Sequence, residues 1–348
     1  MPSLVEVARR QLTLRTHHLH TLPVLVLMPH SRCNCRCVMC DIWKANRNGT
    51  EITAEQLAPH LDDLRKLNVQ WVTLSGGEAL MHSNLWTLCR QLKELRIRIT
   101  LLSTGLLLAK HAVDVVRWCD EVIVSLDGDQ PVHDSIRNVP RAFERLAQGV
   151  AALRQQDGDY PVSGRCVLQR QNYHRLPRIV DAAHHVGLDQ ISFLAADVST
   201  SAFNRPQGWE DERVADVALS RLETEQFAQL VEATIGTHAG DFESGYIAES
   251  PEKIRRLVQY YAALNGDGDF PPVRCNAPWV SAVVEADGTV RPCFFHQALG
   301  NIQQQPLLDI LNSPQAISFR RNLDMDDDPI CRKCVCTLHI APTRSIAP

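Results

Sequence analysis

Between residues 24 and 194, six short apolar, β-branched runs alternate with stretches whose apolar residues recur at helical spacing. The runs are VLVLM (24–28), WVTLS (71–75), RITLLS (98–103), EVIVSL (121–126), VSGRCVL (162–168) and QISFL (190–194). Strands separated by helices pair in parallel, because a crossover that holds a helix returns the chain to the same end of the sheet. Six such units predict an α/β fold, a partial (β/α)6 TIM-like barrel that stops short of the eight units of a closed one. Local signals agree. Thr53 and Gln56 are spaced as a capping box, Leu57, Leu61 and Leu64 share a helix face, and Gly187 stands where a helix C-cap is expected.

In such folds the working residues gather at the C-terminal ends of strands. The unusual residues obey that rule. A cysteine cluster follows the first run, SGGE (75–78) closes the second, STG (103–105) the third and SLDG (125–128) the fourth, while QRQN (169–172) follows the fifth.

The cluster, HSRCNCRCVMC (30–40), holds Cys33, Cys35, Cys37 and Cys40. Cys33, Cys37 and Cys40 are spaced C-x3-C-x2-C. Three thiolates can hold three irons of a four-iron cluster and leave the fourth iron open for chemistry. Zinc is the alternative, with Cys35 or His30 as its fourth ligand. The chain has twelve cysteines, with a second group at Cys275, Cys293, Cys331, Cys334 and Cys336 and three scattered members. Short spacers in an enzyme-sized chain point to metal ligation and away from a secreted disulfide framework. At the second strand end, Gly76 and Gly77 would let the backbone approach a ligand and Glu78 would pair with an ammonium; a tight turn with a solvated Glu78 is the plainer reading.

These residues together resemble the radical S-adenosylmethionine (SAM) enzymes. The resemblance rests on Cys33, Cys37 and Cys40, on SGGE after the second strand and on the βα rhythm. It implies a four-iron four-sulfur cluster on those cysteines, with SAM chelating the open iron. It implies that Gly76, Gly77 and Glu78 bind the SAM amino group and that Ser125 and Asp127 meet the ribose. Met39 stands where the family often has an aromatic residue against the adenine. Cys35 is expected to be a spectator thiol.

The C-terminal part extends the match. Cys275, twelve residues, Gly288, four residues, Cys293 and then Cys331-x2-Cys334 resemble the SPASM/twitch extension of the same superfamily. Cys336 has the wrong spacing for the longer SPASM string, which favours a small α+β twitch-like domain with one auxiliary four-iron four-sulfur cluster on Cys275, Cys293, Cys331 and Cys334. A zinc-ribbon-like site is the alternative there. WVSAVVEADGTVRPCFF reads as two short strands around Asp287-Gly288. The barrel itself is expected to take no strand from 275–340.

The expected organisation is an N-terminal helical extension (1–22), a core (23–196), a helical connection (197–272) and the auxiliary unit (273–348). A net charge of −4 provides no broad basic field, so nucleic acid is not an expected partner. No apolar stretch approaches the length of a membrane span, so no membrane is expected and the location is expected to be cytoplasmic. ARRQLTL only loosely resembles a twin-arginine signal.

The resemblance implies reductive cleavage of SAM to a 5′-deoxyadenosyl radical, hydrogen abstraction from a substrate, and an electron donor such as flavodoxin or ferredoxin. A closed auxiliary cluster suits electron transfer, hence a net oxidation. About 22 residues precede the first strand, few for a peptide-recognition domain, so a small molecule (a sugar, polyol or natural-product intermediate) is preferred to a peptide. A non-catalytic iron–sulfur or zinc scaffold is the alternative of another class. His30 and His296 flank the cysteines, and Asn204, Arg205 and Trp209 follow the sixth strand as substrate contacts or a solvated loop.

Overall fold

The structure, a computed structural model, describes residues 2–346. Its centre is six parallel strands paired in chain order: β1 (Val24–His30), β2 (Trp71–Gly76), β3 (Arg98–Ser103), β4 (Glu121–Ser125), β5 (Val162–Leu168) and β6 (Gln190–Ala195). Helix α1 (Leu4–Thr16) precedes them. The crossovers carry α2 (Leu85–Glu94), α3 (Leu108–Trp118), α4 (Gln130–Arg137) with α5 (Ala142–Gln156), and α6 (Leu176–Val186). The expected capping box at Thr53 forms, and Gly187 caps α6 in the left-handed region with φ 80°.

Strands β2, β4, β5 and β6 bury alternate residues. Val72 and Leu74, Val122 and Val124, and Val162, Cys166 and Leu168 pack in the main apolar core. The residues between them include Thr73, Glu121, Ser163 and Arg165 and are only half buried. Trp71 Nε1 donates to Thr100 Oγ1 at 2.7 Å, and Arg98 pairs with Glu121 at 2.6 Å. A parallel sheet buried on both faces would be apolar throughout. This polar second face is the concave interior of an open barrel.

One expectation fails. β7 (Ser281–Val284) is hydrogen-bonded in parallel to β1, and β8 (Thr289–Arg291) and β9 (Gly300–Asn301) follow antiparallel, so the auxiliary unit continues the core sheet to nine strands. Without it the apolar strand β1 would be an open edge, which invites association with other chains. The four residues of β7 are all buried. At the opposite edge, Ile247 bridges to Ile191, and Glu249 accepts the Phe193 N–H at 2.8 Å. Four helices lie between the two parts: Asp211–Val217, Arg221–Thr237, Ala239–Glu243 and Pro251–Leu264. Among the described residues no helix is long and apolar enough to cross a membrane.

Candidate active site

The loop after β1 carries the first cysteines and is docked from several sides. Arg36 N and Val38 N donate to the carbonyls of Arg137 (3.0 Å) and Ile136 (3.1 Å), which end α4. Asn46 clasps Cys33 twice, accepting from its N–H and donating to its C=O at 2.9 Å each. Cys35 and Cys37 are buried with Leu106 and Ala142, and Cys33, Met39, Cys40 and Val139 pack around them. The side chains of Cys33 and Cys40 are partly accessible.

The N–H of Cys35 donates to Cys33 Sγ at 3.5 Å. The neighbouring Cys35 thiol, opposed by burial and helped by the Arg137 guanidinium, brings the Cys37 thiol down to about 7. Burial pushes Cys40 up to about 12. A loop offering three thiols, one of them 3.5 Å from a guanidinium that favours its thiolate, fits three iron positions: the thiolate is the metal ligand.

The glycines serve the loop itself. A Cβ on Gly77 would lie 2.1 Å from the Arg32 carbonyl oxygen. Gly76 has φ 106° and packs against Met28 and the His30 carbonyl. Only glycine lets the end of β2 lie against the cysteine loop this closely, and Glu78 N donates to Arg32 O at 2.8 Å. Glu78 is neither solvated nor free. It is fully buried and accepts from Thr104 N and Thr104 Oγ1 (2.7 Å each), Ser103 Oγ (3.0 Å) and Leu80 N (3.3 Å). Burial raises its pKa against these donors. An ammonium reaching this carboxylate would have to displace one of its hydroxyl donors.

Ser125 is half buried at the end of β4. Asp127 lies two residues on. It is wholly buried; Oδ2 pairs with Arg137 at 2.5 Å and Oδ1 accepts the Val167 N–H at 3.2 Å. Burial favours the neutral acid, but an arginine does not give up its proton, so the pair stays ionic. Arg137 was the residue missed from the sequence. In HDSIR (133–137), His133, Ile136 and Arg137 are the buried residues of α4, and a charged residue on a buried helical face was the available signal.

A cavity of about 510 Å³ opens at the C-terminal ends of β1, β2 and β7. Met28, Gly76 and Gly77 form one side, Phe203 and Asn204 another, and Phe294 with Phe295 a third. Phe203 meets Phe294 edge-on with ring centres 4.8 Å apart. Phe203 and Asn204 both have left-handed backbones (φ 58° and 63°), which their surroundings must hold. Arg205 does so: it is buried, pairs with Asp197 at 2.5 Å and lies 4.4 Å from the Trp209 ring centre. Trp209 and Asn204 hydrogen-bond to Asp41 (2.9 and 3.2 Å), tying this loop to the cysteine loop. Trp209 thus braces the wall, and Phe203 and Arg205 line it. His30 orders the chain below, bonded to Thr50 O at 3.1 Å and Arg32 Nε at 3.3 Å.

The second cysteine group is assembled by tertiary contacts. Asn276 exchanges hydrogen bonds of 2.9 Å with Ile340, bringing the last segment beside Cys275. His296, three residues after Cys293, lies with Nε2 at 3.4 Å from Cys331 Sγ. Cys334 Sγ contacts the Cys336 carbonyl at 3.1 Å. Burial pushes Cys293 up to about 11 and Cys331 to about 12, the latter with help from Asp328. Soft thiols suit an iron–sulfur centre, and each must release a proton to ligate it; beside them, His296 and the Asp328 carboxylate lie within 4.8 Å of Cys331 Sγ as further groups able to hold a metal.

The family model of the Radical SAM superfamily matches residues 27–183, and that of an iron–sulfur cluster-binding domain, SPASM, matches residues 275–335. The AdoMet-dependent heme synthase of Methanosarcina barkeri is 24% identical over 310 residues, 85% of this chain and 83% of its own. A PqqA peptide cyclase of Streptomyces rochei is 26% identical, covering 89% and 80%. The structure of Streptococcus suis SuiB bound to the precursor peptide SuiA superposes with a TM-score of 0.63 at 17% identity, covering 90% of this chain and 70% of that one. Two such domains bring two cofactor sites, a SAM-binding four-iron four-sulfur cluster and an auxiliary cluster. A parallel open barrel with a cysteine loop at the end of its first strand, continued by a cysteine-bearing sheet extension, therefore makes this chain an enzyme of the radical SAM superfamily with a C-terminal iron–sulfur cluster-binding domain.

Proposed function

We propose that the enzyme abstracts a hydrogen atom from a compact organic substrate seated in the 510 Å³ cavity and completes a net oxidation of it. Cys33, Cys37 and Cys40 would hold the SAM-binding cluster and Cys275, Cys293, Cys331 and Cys334 the auxiliary one. When bound there, the first cluster would supply the electron that splits SAM into methionine and a 5′-deoxyadenosyl radical. The protein's part is positioning and exclusion of water, because such a radical attacks whatever lies nearest. Phe203, Phe294 and Phe295 provide the apolar wall, and the Asp197–Arg205 pair keeps it in place.

The cavity carries this reading. Its volume falls in the range of about 300–1,000 Å³ usual for small-molecule sites, and the auxiliary domain forms one of its walls. The heme synthase relative supports a small molecule. A peptide is the second reading, supported by the PqqA peptide cyclase relative. The relatives bear enzyme names, against a non-catalytic scaffold.

Anaerobic protein with reductant and SAM should release more 5′-deoxyadenosine when given a low-molecular-weight metabolite fraction of the source cells. Stimulation by the peptide fraction alone would replace the first reading with the second. Release of no 5′-deoxyadenosine from fully iron-loaded protein would defeat both.

A further inference from the structure

The Asp127–Arg137 pair lies directly behind the cysteine loop. Arg137 is the last residue of α4 and is buried. Its NH1 is 3.5 Å from Cys37 Sγ, while NH2 is 2.5 Å from Asp127 Oδ2. Asp127 is itself held on three further sides. Its Oδ1 accepts from Val167 N (3.2 Å), its N–H donates to His133 Nδ1 (3.2 Å), and its carbonyl accepts from Asn172 Nδ2 (3.0 Å). The arginine carbonyl, too, grips the loop through Arg36 N. A guanidinium so fixed cannot swing away when the charge on Cys37 changes.

Burying an ion pair seldom gains stability over an apolar pair of the same volume. Its orientation here has a consequence instead. The cationic end faces the sulfur and the anionic end faces away. A group that gains an electron becomes more negative, and an N–H donor with positive charge beside its sulfur ligand favours that state.

We propose that Arg137, oriented by Asp127, is a positioning residue that sets the reduction potential of the first cluster, raising it so that a biological donor can load the electron. The inference rests on Cys37 being a ligand, which iron content and the cluster's EPR signal report separately. Removing Arg137 alone leaves Asp127 unpaired and can unfold the loop, so the informative protein is the double variant Asp127→Asn/Arg137→Gln, neutral and nearly isosteric. EPR-monitored redox potentiometry is done on protein with its auxiliary site removed by Cys331→Ala/Cys334→Ala, so that one cluster is read.

The double variant should keep its iron and SAM affinity. At a fixed potential its ratio of reduced to oxidised cluster should fall about tenfold, equivalent to 59 mV for one electron. Arg137→Lys, which keeps the charge, should restore most of the shift. An unchanged midpoint with full iron overturns the proposal. So does loss of half or more of the iron from the double variant, because the pair would then be structural, and so does a midpoint in Arg137→Lys as low as in the double variant.

Discussion

The two cysteine sites differ in how they are built. The first lies within eight residues of one loop, Cys33 to Cys40, whose backbone is pinned by Asn46, Ile136 and Arg137 and, just before Cys33, by Glu78. The second gathers its thiols from Cys275 to Cys334 through distant contacts such as Asn276–Ile340 and His296–Cys331. The first holds Cys37 at about 7 beside Cys40 at about 12; the second has Cys293 at about 11 and Cys331 at about 12. A local site can be prepared by its own loop. A site assembled across a domain waits for that domain to fold, and its metal becomes part of the folding free energy.

The harshest way to break the comparison is to remove the first site. Changing Cys33, Cys37 and Cys40 to Ala should abolish 5′-deoxyadenosine formation and remove half of about eight irons, with the auxiliary signal left in the EPR spectrum. Loss of all iron would mean that the sites do not load independently.

Removing Cys331 and Cys334 probes the other side. Such protein should lose the auxiliary cluster and still cleave SAM, but make little oxidised product, because the substrate radical lacks an acceptor. The β1–β7 pairing adds a cost to the core as well, so its melting temperature should fall, read by thermal denaturation. Normal product yield would make the auxiliary cluster structural.

Gly77→Ala sharpens the geometric half of the contrast. With a Cβ 2.1 Å from a carbonyl oxygen, the end of β2 or the cysteine loop must shift. The expected cost is about 1–3 kcal/mol, the scale of overpacking, measured by denaturant unfolding of the apoprotein. A cost near zero would show that the loop is not held by this contact.

The smallest effect concerns protons. Each unit rise in pH below their pKa values raises the thiolate fraction tenfold at Cys293 and Cys331 of the auxiliary site and at Cys40 of the first, but adds little at Cys37 above about 7. With two such thiols against one, iron loading of the auxiliary site should climb more steeply between neutral and mildly alkaline pH, measured in variants that keep one site each. Cys35→Ala should keep the iron but move first-site loading to higher pH, because the thiol donor to Cys37 is gone. Equal slopes at the two sites would erase the distinction.

Much of the core was legible because its signals are local. Six β-branched runs, the Thr53 capping box and the Gly187 C-cap each depend on neighbours in sequence, and each formed within a residue or two of its expected place. The cysteine spacing was legible for the same reason, since C-x3-C-x2-C is closed by one loop. What stayed hidden depends on pairs far apart. Asp127 looked like a polar residue at a strand end and became one half of a buried pair because α4 turns Arg137 back upon it. Arg205 and Trp209 looked like substrate contacts or a solvated loop, and their fixed places come from Asp197 and Asp41, which lie where the fold puts them.

The sequence by itself determined the parallel α/β core, the face on which its chemistry lies and the two cysteine groups, because periodicity and spacing act over a few residues. Only the tertiary structure decided that β7 would cover the edge of β1, making the auxiliary unit part of the core sheet. Four apolar residues, SAVV, could pair with any open strand. Which edge was free depended on the packing of the whole sheet, a long-range property that no local pattern encodes.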